Sequence, residues 1–163
     1  MLKSFAPVIN AQSKFMVIGS MPGEASLKAQ EYYAYKHNAF WPIVFDVFSP
    51  GRTPQNYADK LNTLLTHGGA LWDTLAACRR QGSLDSAIKD AKPNNFSLLF
   101  KQYPNIKTLL FNGQTAYKLF KKHFGQPESK TCLVLPSTSP AHAALSYADK
   151  LSIWQEALLT ACK

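Results

Sequence analysis

The sequence predicts an α/β fold of three layers, α/β/α, with helices on both faces of a short, mainly parallel sheet. Short apolar or β-branched runs bounded by turn residues alternate with longer segments of helical periodicity. Strands that alternate with helices favour parallel pairing through right-handed crossovers. The length of 163 residues favours one domain, expected to span residues 1–163.

Four strands are predicted from their apolar or β-branched residues and the turn residues that follow them. The run Phe15–Ile18 leads into Gly19, Ala70–Trp72 follows two glycines, and Lys107–Phe111 and Thr131–Leu135 are β-branched and apolar. Seven helices are expected between and around these strands, near residues 25–34, 41–48, 55–66, 84–90, 95–102, 114–123 and 146–160.

Polar residues at the predicted helix starts act as caps. Ser83 is the expected cap of the helix near 84–90, and Asp73–Thr74 the cap of the segment after the second strand. Asn94 or Asn95 opens the next helix. Ser146, followed three residues later by Asp149, forms a near capping box for the last one.

The turns after Ile18, Phe111 and Leu135 are expected to meet at one edge of the sheet. In open parallel sheets, ligands bind beyond the carboxyl ends of the strands, where loop backbone and helix N-termini present N–H groups. The turn after Ile18 contains Gly19, Pro22 and Gly23. The sequence therefore predicts a binding cleft at this edge.

Composition indicates a globular chain that binds a polyanion. Apolar residues make up 46% and charged residues 17%, without an apolar run of membrane-spanning length or a signal-peptide core, so a cytoplasmic location is expected. The net charge of +8 favours nucleic acid, although a solvated lysine-rich face would give the same excess. The basic residues are dispersed, so a folded surface has to make the contacts.

The three cysteines Cys78, Cys132 and Cys162 are far apart and odd in number. This spacing is typical of reduced thiols and not of a zinc site or a disulfide framework. Neither a metal nor another cofactor is expected.

Two ordered blocks carry a family resemblance. The first reads G-S-M-P-G-E-A-S followed by Y-Y-A-Y-K-H-N-A-F-W, and the second reads L-P-S-T-S-P-A-H-A near the C-terminus. Together they resemble the two motifs of the uracil-DNA glycosylase superfamily, and the first is most similar to the hypoxanthine (deoxyinosine) DNA glycosylase branch. The segments L-W-D, G-S-L-D-S-A-I and F-N-G-Q between them also resemble that branch, so the resemblance covers roughly residues 14–160.

The resemblance implies a monofunctional glycosylase that flips a deaminated base, most readily hypoxanthine, out of double- or single-stranded DNA and hydrolyses its N-glycosidic bond. The chain is expected to act as a monomer, without a metal or an iron–sulfur cluster, because three scattered cysteines cannot hold a four-cysteine cluster. Mismatched uracil is the alternative substrate. A binding module that kept the fold and lost the reaction is the alternative function.

The resemblance also implies roles in the first block. Phe40 is the expected stacking face for the base, although Phe40 and Trp41 could equally be core residues. The position at which the superfamily often handles water is Met21, whose thioether cannot do so. Asn38 is therefore the expected catalytic amide, with a helix cap as its alternative role.

The base pocket is expected to draw on the first turn and on later elements. Ser20, Met21, Pro22 and Gly23 would line it, with one tyrosine of the pair Tyr32 and Tyr33, Tyr33 being preferred. Asn112 could read a purine edge or simply end a strand.

The second block is expected to contact DNA. Its residues Ser137, Thr138, Ser139, Pro140 and Ala141 form a short hydroxyl-rich loop that suits phosphate contacts and entry into the gap left by the flipped nucleotide. His142 would stabilise the leaving base or contact a phosphate, unless it is an ordinary loop histidine.

Overall fold

Fourteen elements follow one another in the computed structural model, which describes residues 1–163. The strands are β1 Leu2–Lys3, β2 Phe15–Gly19, β3 Gly69–Asp73, β4 Leu75–Arg79, β5 Lys89–Pro93, β6 Thr108–Asn112 and β7 Thr131–Leu135. The helices are α1 Glu24–Ala29, α2 Phe40–Phe48, α3 Tyr57–Thr66, α4 Phe96–Gln102, α5 Gln114–Phe124 and α6 Tyr147–Ala161, with a 3-10 turn at Asp85–Ala87.

The central sheet is parallel throughout, in the order β3-β2-β6-β7. β2 is buried along its whole length and alternates between two cores. Phe15 and Val17 pack among residues of α2, α3 and α6, whereas Met16 and Ile18 pack among residues of α4 and α5. Successive side chains of a strand point to opposite faces, so one apolar strand joins both helical layers. The predicted three-layer α/β/α fold is confirmed.

The four predicted parallel strands and five of the predicted helices are present. Asn95 caps α4 by accepting a hydrogen bond from the backbone N–H of Leu98 at 3.0 Å. The capping box of Ser146 and Asp149 is formed at the start of α6.

Two helix predictions and two cap predictions are wrong. The first helix ends at Ala29, because Gln30 adopts a left-handed conformation at φ 57°. The expected helix at 84–90 is a single 3-10 turn followed by the strand β5. The Ser83 hydroxyl accepts a hydrogen bond from the Glu24 backbone N–H instead, at 2.9 Å. Asp73 is no cap, because β3 runs through it and β4 begins at Leu75.

A second sheet, antiparallel and in the order β1-β4-β5, is absent from the sequence prediction. β5 reads K-D-A-K-P and is largely exposed, so it has neither apolar alternation nor β-branched residues. Its pairing with β4 is irregular and shifts register twice. This small sheet places Arg80 and the 3-10 turn beside the end of β2, where both contribute to the site described next.

Candidate active site

A cleft of about 730 Å³ opens at the carboxyl edge of the parallel sheet. That volume lies within the usual range of small-ligand sites. Six segments line it: the turn after β2, the loop after α1, the end of β3, the residues around the 3-10 turn, the end of β6 and the loop after β7. The two motif blocks, more than a hundred residues apart in the chain, thus face the same space.

The turn after β2 forms one wall of the cleft. The Ser20 hydroxyl donates a hydrogen bond to Oδ1 of Asp85 at 2.6 Å, and the Pro22 carbonyl accepts one from Arg80. Met21 is only 7% exposed and packs against Leu75 and Cys78. Its thioether is part of a small core and offers no group to a water molecule. Gly23 is the N-cap of α1 and also faces the cleft.

Three tyrosines line the cleft, Tyr32, Tyr33 and Tyr35, and the aromatic wall considered for base stacking is Tyr33. Its ring lies 4.3 Å from that of Phe40, centroid to centroid, with 33° between the planes. Phe40 itself is 0% exposed, belongs to the core with Trp41 and Trp154, and does not line the cleft. The prediction that Phe40 forms the stacking face for a base is therefore wrong, because Tyr33 covers its ring and core residues enclose it.

A left-handed backbone brings Tyr33 into this place. Its φ of 55° is uncommon for a residue with a side chain and costs about 1–3 kcal/mol. Its neighbour Tyr32 holds the loop by donating through its hydroxyl to the Ala6 carbonyl at 2.9 Å, by donating through its backbone N–H to the Tyr57 hydroxyl at 3.0 Å, and by accepting from Trp41 Nε1 at 2.8 Å. Burial raises the pKa of Tyr33, and the buried Asp73 carboxyl raises it further, so the phenol stays neutral.

Asn38 lies at the rim of the cleft, just before α2. Its Oδ1 accepts a hydrogen bond from the Phe40 backbone N–H at 3.0 Å. This is a local Asx-type bond and not the helix cap considered in the sequence, since Ala39 is the N-cap of α2 and no side chain caps that helix. The bond uses only one lone pair of the amide. The Nδ2 group and the second lone pair of Oδ1 are left for a ligand or a water in the cleft.

Asn112 and Thr138 tie the second block to the sheet. Asn112 Nδ2 donates to Thr138 Oγ1, and Asn112 Oδ1 accepts from the Thr138 backbone N–H, both at 2.9 Å. The Thr138 carbonyl also accepts from the Ala39 backbone N–H at 3.0 Å. Three segments of the cleft therefore meet at Thr138. The Asn112 amide also lies beside the Tyr33 hydroxyl, and one lone pair of its Oδ1 is left to read a base.

This position corrects the prediction for Thr138. The side chain is 1% exposed and its hydroxyl is engaged with Asn112, so it cannot contact a DNA phosphate. Thr138 instead fixes the loop that carries the other predicted DNA contacts. The Thr138 hydroxyl and backbone therefore form hydrogen bonds within the protein and not with the ligand.

Replacing Thr138 by valine should destabilise the protein by about 1 kcal/mol, because the nearly isosteric side chain removes the acceptor of the half-buried Asn112 amide. Chemical denaturation measures the change. Thr131→Val, at an exposed position at the start of β7, is the matched control and should change stability by less than about 0.5 kcal/mol. Equal stability of the two variants would show that the Asn112–Thr138 bond contributes nothing.

The rest of the second loop is more open. Ser137 Oγ accepts from the Ser139 N–H, and Ser139 Oγ accepts from the Ala141 N–H, each at 3.2 Å. Both hydroxyls keep their own proton for a further acceptor such as a phosphate. Pro140, Ala141 and His142 are exposed and face the cleft.

Three acidic residues of the cleft, Glu24, Asp73 and Asp85, were not among the predicted site residues. Asp73 ends β3 and is 4% exposed, and its Oδ2 is buried without a hydrogen-bond partner. Burial and, to a smaller extent, the nearby Asp85 carboxylate raise the pKa of Asp73 to about 7 against the opposing effect of Arg80. Burial also raises the pKa of Asp85, against the opposing effects of Ser20 and Arg80.

One sequence feature could have identified Asp73 as a site residue, namely its position at the end of a predicted strand. Because the carboxyl ends of parallel strands share one edge, L-W-D could have been grouped with the other strand-end residues. The interpretation of Asp73 as the cap of the following segment excluded it from that group of strand-end residues. Asp85 lies in a segment predicted as helix, and no local pattern indicates that it reaches Ser20.

Elsewhere the chain shows no grouping of three or more histidine, cysteine or acidic side chains suited to a metal ion. All three cysteines are free thiols, Cys78 buried and the other two half-buried. None of the helices has the length and apolar character needed to cross a membrane.

A three-layer α/β/α fold with a cleft at the carboxyl edge of its sheet can serve many functions, and comparison with known families shows the class of protein to which this chain belongs. The chain belongs to the uracil DNA glycosylase superfamily, whose family model matches residues 6–158. The resemblance inferred from the two sequence blocks is thereby confirmed.

Individual relatives have names that are more specific than the name of the superfamily. The chain is 33% identical over 157 residues to a protein of Methanosarcina barkeri named hypoxanthine DNA glycosylase, covering 95% of this chain and 96% of the relative. A protein of the same name from Methanosarcina acetivorans is 33% identical over 155 residues, covering 94% and 95%. A solution structure of a putative uracil DNA glycosylase from Methanosarcina acetivorans superposes with a TM-score of 0.79 at 31% identity, covering 96% of this chain and 95% of the other.

Proposed function

We propose that this chain is a monofunctional DNA glycosylase that releases deaminated bases, hypoxanthine foremost, by hydrolysis of the N-glycosidic bond. The observation that carries the proposal is the cleft itself, in which an aromatic ring, a carboxamide with free donors and a hydroxyl-rich loop face one another. The two relatives named hypoxanthine DNA glycosylase support the choice of base.

Base recognition in this cleft rests on Tyr33. An enzyme that acts on a base within a duplex must unstack it at a cost of a few kcal/mol. Stacking on an aromatic ring returns roughly 1–3 kcal/mol. The Tyr33 ring is held in place by the Phe40 ring behind it, so little conformational entropy is lost when a base packs on it.

Hydrolysis needs a placed water and stabilisation of the charge that develops on the base. Met21 is buried and cannot hold water, whereas Asn38 lies at the rim with free amide atoms. We assign the water, or the sugar side of the reaction, to Asn38. His142 and the Ser137 and Ser139 hydroxyls face the same space and are assigned to the flanking phosphates and the departing base.

The monofunctional assignment follows from the lining of the cleft. A glycosylase that also cleaves the strand uses an amine to form a Schiff base. No lysine lines this cleft. Hydrolysis by water, leaving an intact abasic strand, is therefore the reaction that the residues support.

The test is release of base from duplex and single-stranded oligonucleotides carrying one deoxyinosine, one deoxyuridine or neither. We expect alkali-labile sites at deoxyinosine and no cleavage before alkali. Deoxyuridine is tested as the second substrate because a solved structure similar to this chain is that of a putative uracil DNA glycosylase. Tight DNA binding without an abasic product on either substrate would refute the enzyme and favour a binding module.

Replacing Tyr33 by leucine should weaken binding to deoxyinosine duplex by about 10-fold, since roughly 1–3 kcal/mol of stacking is lost. Fluorescence anisotropy with lesion and undamaged duplex measures the loss of selectivity. Phe40→Leu is the matched control: it keeps an apolar side chain behind the Tyr33 ring, and should lower the free energy of unfolding while reducing the lesion preference by less than Tyr33→Leu does. The opposite pattern, with selectivity lost only in Phe40→Leu, would return the stacking role to Phe40.

A further inference from the structure

The end of β3 carries a side chain with no structural explanation. Asp73 is nearly fully buried, its Oδ2 has no hydrogen-bond partner, and it belongs to the lining of the cleft. Buried polar atoms are almost always paired, and an orphaned one in a cleft calls for a role. No capping, packing or ion-pair function of the Asp73 carboxyl is present to supply it.

The surrounding residues are arranged to keep the carboxyl in that place. A Cβ atom on Gly19 would lie 2.5 Å from Asp73 Oδ1 and 3.3 Å from the Tyr33 hydroxyl, so only glycine leaves room there. Asp73 and Gly19 are register partners on neighbouring strands. The carboxyl therefore lies at the deep end of the cleft, close to the hydroxyl edge of the aromatic wall.

We propose that Asp73 is a further catalytic residue, which in its protonated form donates its proton to the departing purine. The proposal rests on the glycosylase function proposed above. When the C1′–N9 bond breaks, its electron pair goes to the base and the carboxyl proton passes to a ring nitrogen of the base. A water oxygen bonds to C1′, the second proton of that water is released to solvent, and the carboxylate is reprotonated from solvent.

Burial and two charged groups set the pH at which the Asp73 carboxyl holds its proton. Burial in the cleft and the Asp85 carboxylate raise the pKa of Asp73 to about 7, and the Arg80 guanidinium opposes the rise. Tyr32 and Tyr33 also face Asp73, and both phenols stay neutral because burial raises their pKa. A general acid works best when its pKa lies near the working pH.

The experiment is the pH dependence of single-turnover base release from deoxyinosine duplex, from pH 5 to pH 9, for the full-length protein and its variants. Wild-type rate should be level at low pH and fall about 10-fold per pH unit above pH 7. Asp73→Asn should be slower by about 10-fold or more at pH 6, with little pH dependence, so that the two rates approach each other above pH 8.

Three further variants test whether the decrease in rate above pH 7 is caused by Asp73 or by a neighbouring group. His142→Gln should retain the fall in rate, since that fall belongs to Asp73. Asp85→Asn should move it to lower pH, because a negative neighbour that raises the pKa of Asp73 is gone. Asp90→Asn, at an exposed position on β5, should match wild type throughout.

The outcomes distinguish this inference from the proposed function. A wild-type protein that releases no base at any pH would defeat the glycosylase proposal, and the inference with it. If base is released, any one of three results would overturn the inference alone. The wild-type rate could stay level above pH 7, or its decrease above pH 7 could disappear in His142→Gln. The third such result is an Asp73→Asn rate that is reduced equally at every pH. Should Asp73→Asn fail to fold, an unshifted fall in Asp85→Asn would overturn it.

Discussion

Replacing Asn38 by alanine should lower the single-turnover rate of base release by about 100-fold or more, the usual effect of removing an important polar catalytic group. Asn38 lies at the rim of the cleft with its Nδ2 group and one lone pair of Oδ1 free. Met21 cannot take over, because its thioether is buried against Leu75 and Cys78. Quenched single-turnover assays on deoxyinosine duplex measure the rate.

The hydrogen bond of Asn38 to the backbone must be separated from its catalytic role. Asn38→Ala also loses the hydrogen bond from the Phe40 N–H, at a cost of about 1 kcal/mol in stability. Asn95→Ala loses a side-chain-to-backbone bond of similar strength, the N-cap bond of α4, outside the cleft. We expect the two variants to lose similar stability and only Asn38→Ala to lose activity. An unchanged rate in Asn38→Ala would remove this residue from the mechanism.

Replacing Asp73 by asparagine should make the protein more stable than wild type at pH 8, by about 2–3 kcal/mol more than at pH 5. The folded pKa of about 7 lies above the value of about 3.9 expected in the unfolded chain. Between these values the folded state binds more protons than the unfolded one, so wild-type stability falls as pH rises and levels off above pH 7. Asparagine cannot ionise and escapes this loss.

Urea denaturation of both proteins at pH 5, 6, 7 and 8 measures the difference. Asp90→Asn serves as the control, because the Asp90 side chain is 65% exposed and its ion pair with Arg79, at 3.5 Å, is a surface contact. Its difference from wild type should stay small and constant with pH. Parallel curves for wild type and Asp73→Asn would show that the Asp73 carboxyl titrates normally.

A gain of stability in Asp73→Asn together with a loss of activity would identify a stability–activity trade-off at this position. Proteins keep a buried, unpaired ionisable group at a cost in stability where it serves a site. A purely structural aspartate would show the reverse, a loss of stability on substitution. The two measurements on one variant therefore distinguish the roles.

Much of the scaffold could be read from local patterns. The runs Phe15–Ile18 and Lys107–Phe111 are apolar between turn residues and form central strands, buried on both faces. The Ser146–Asp149 pair caps α6 as its spacing predicts. Patterns of this kind work because burial and capping depend on residues only a few positions apart. The small antiparallel sheet was not predicted, because the polar sequence of β5 has no strand pattern. β5 is a strand only because it pairs with β4, a separate segment of the chain.

The sequence alone was enough to predict the four apolar strands, their parallel pairing and the two motif blocks, and through these blocks the family. It could not determine which ring faces the cleft, since Phe40 and Tyr33 are both aromatic and only the left-handed turn at Tyr33 places that ring in front. Nor could it show that Thr138 is buried or that Asp73 is an unpaired acid in the cleft. Exposure and pKa at these positions depend on side chains brought together from distant segments, and only tertiary packing sets those distances.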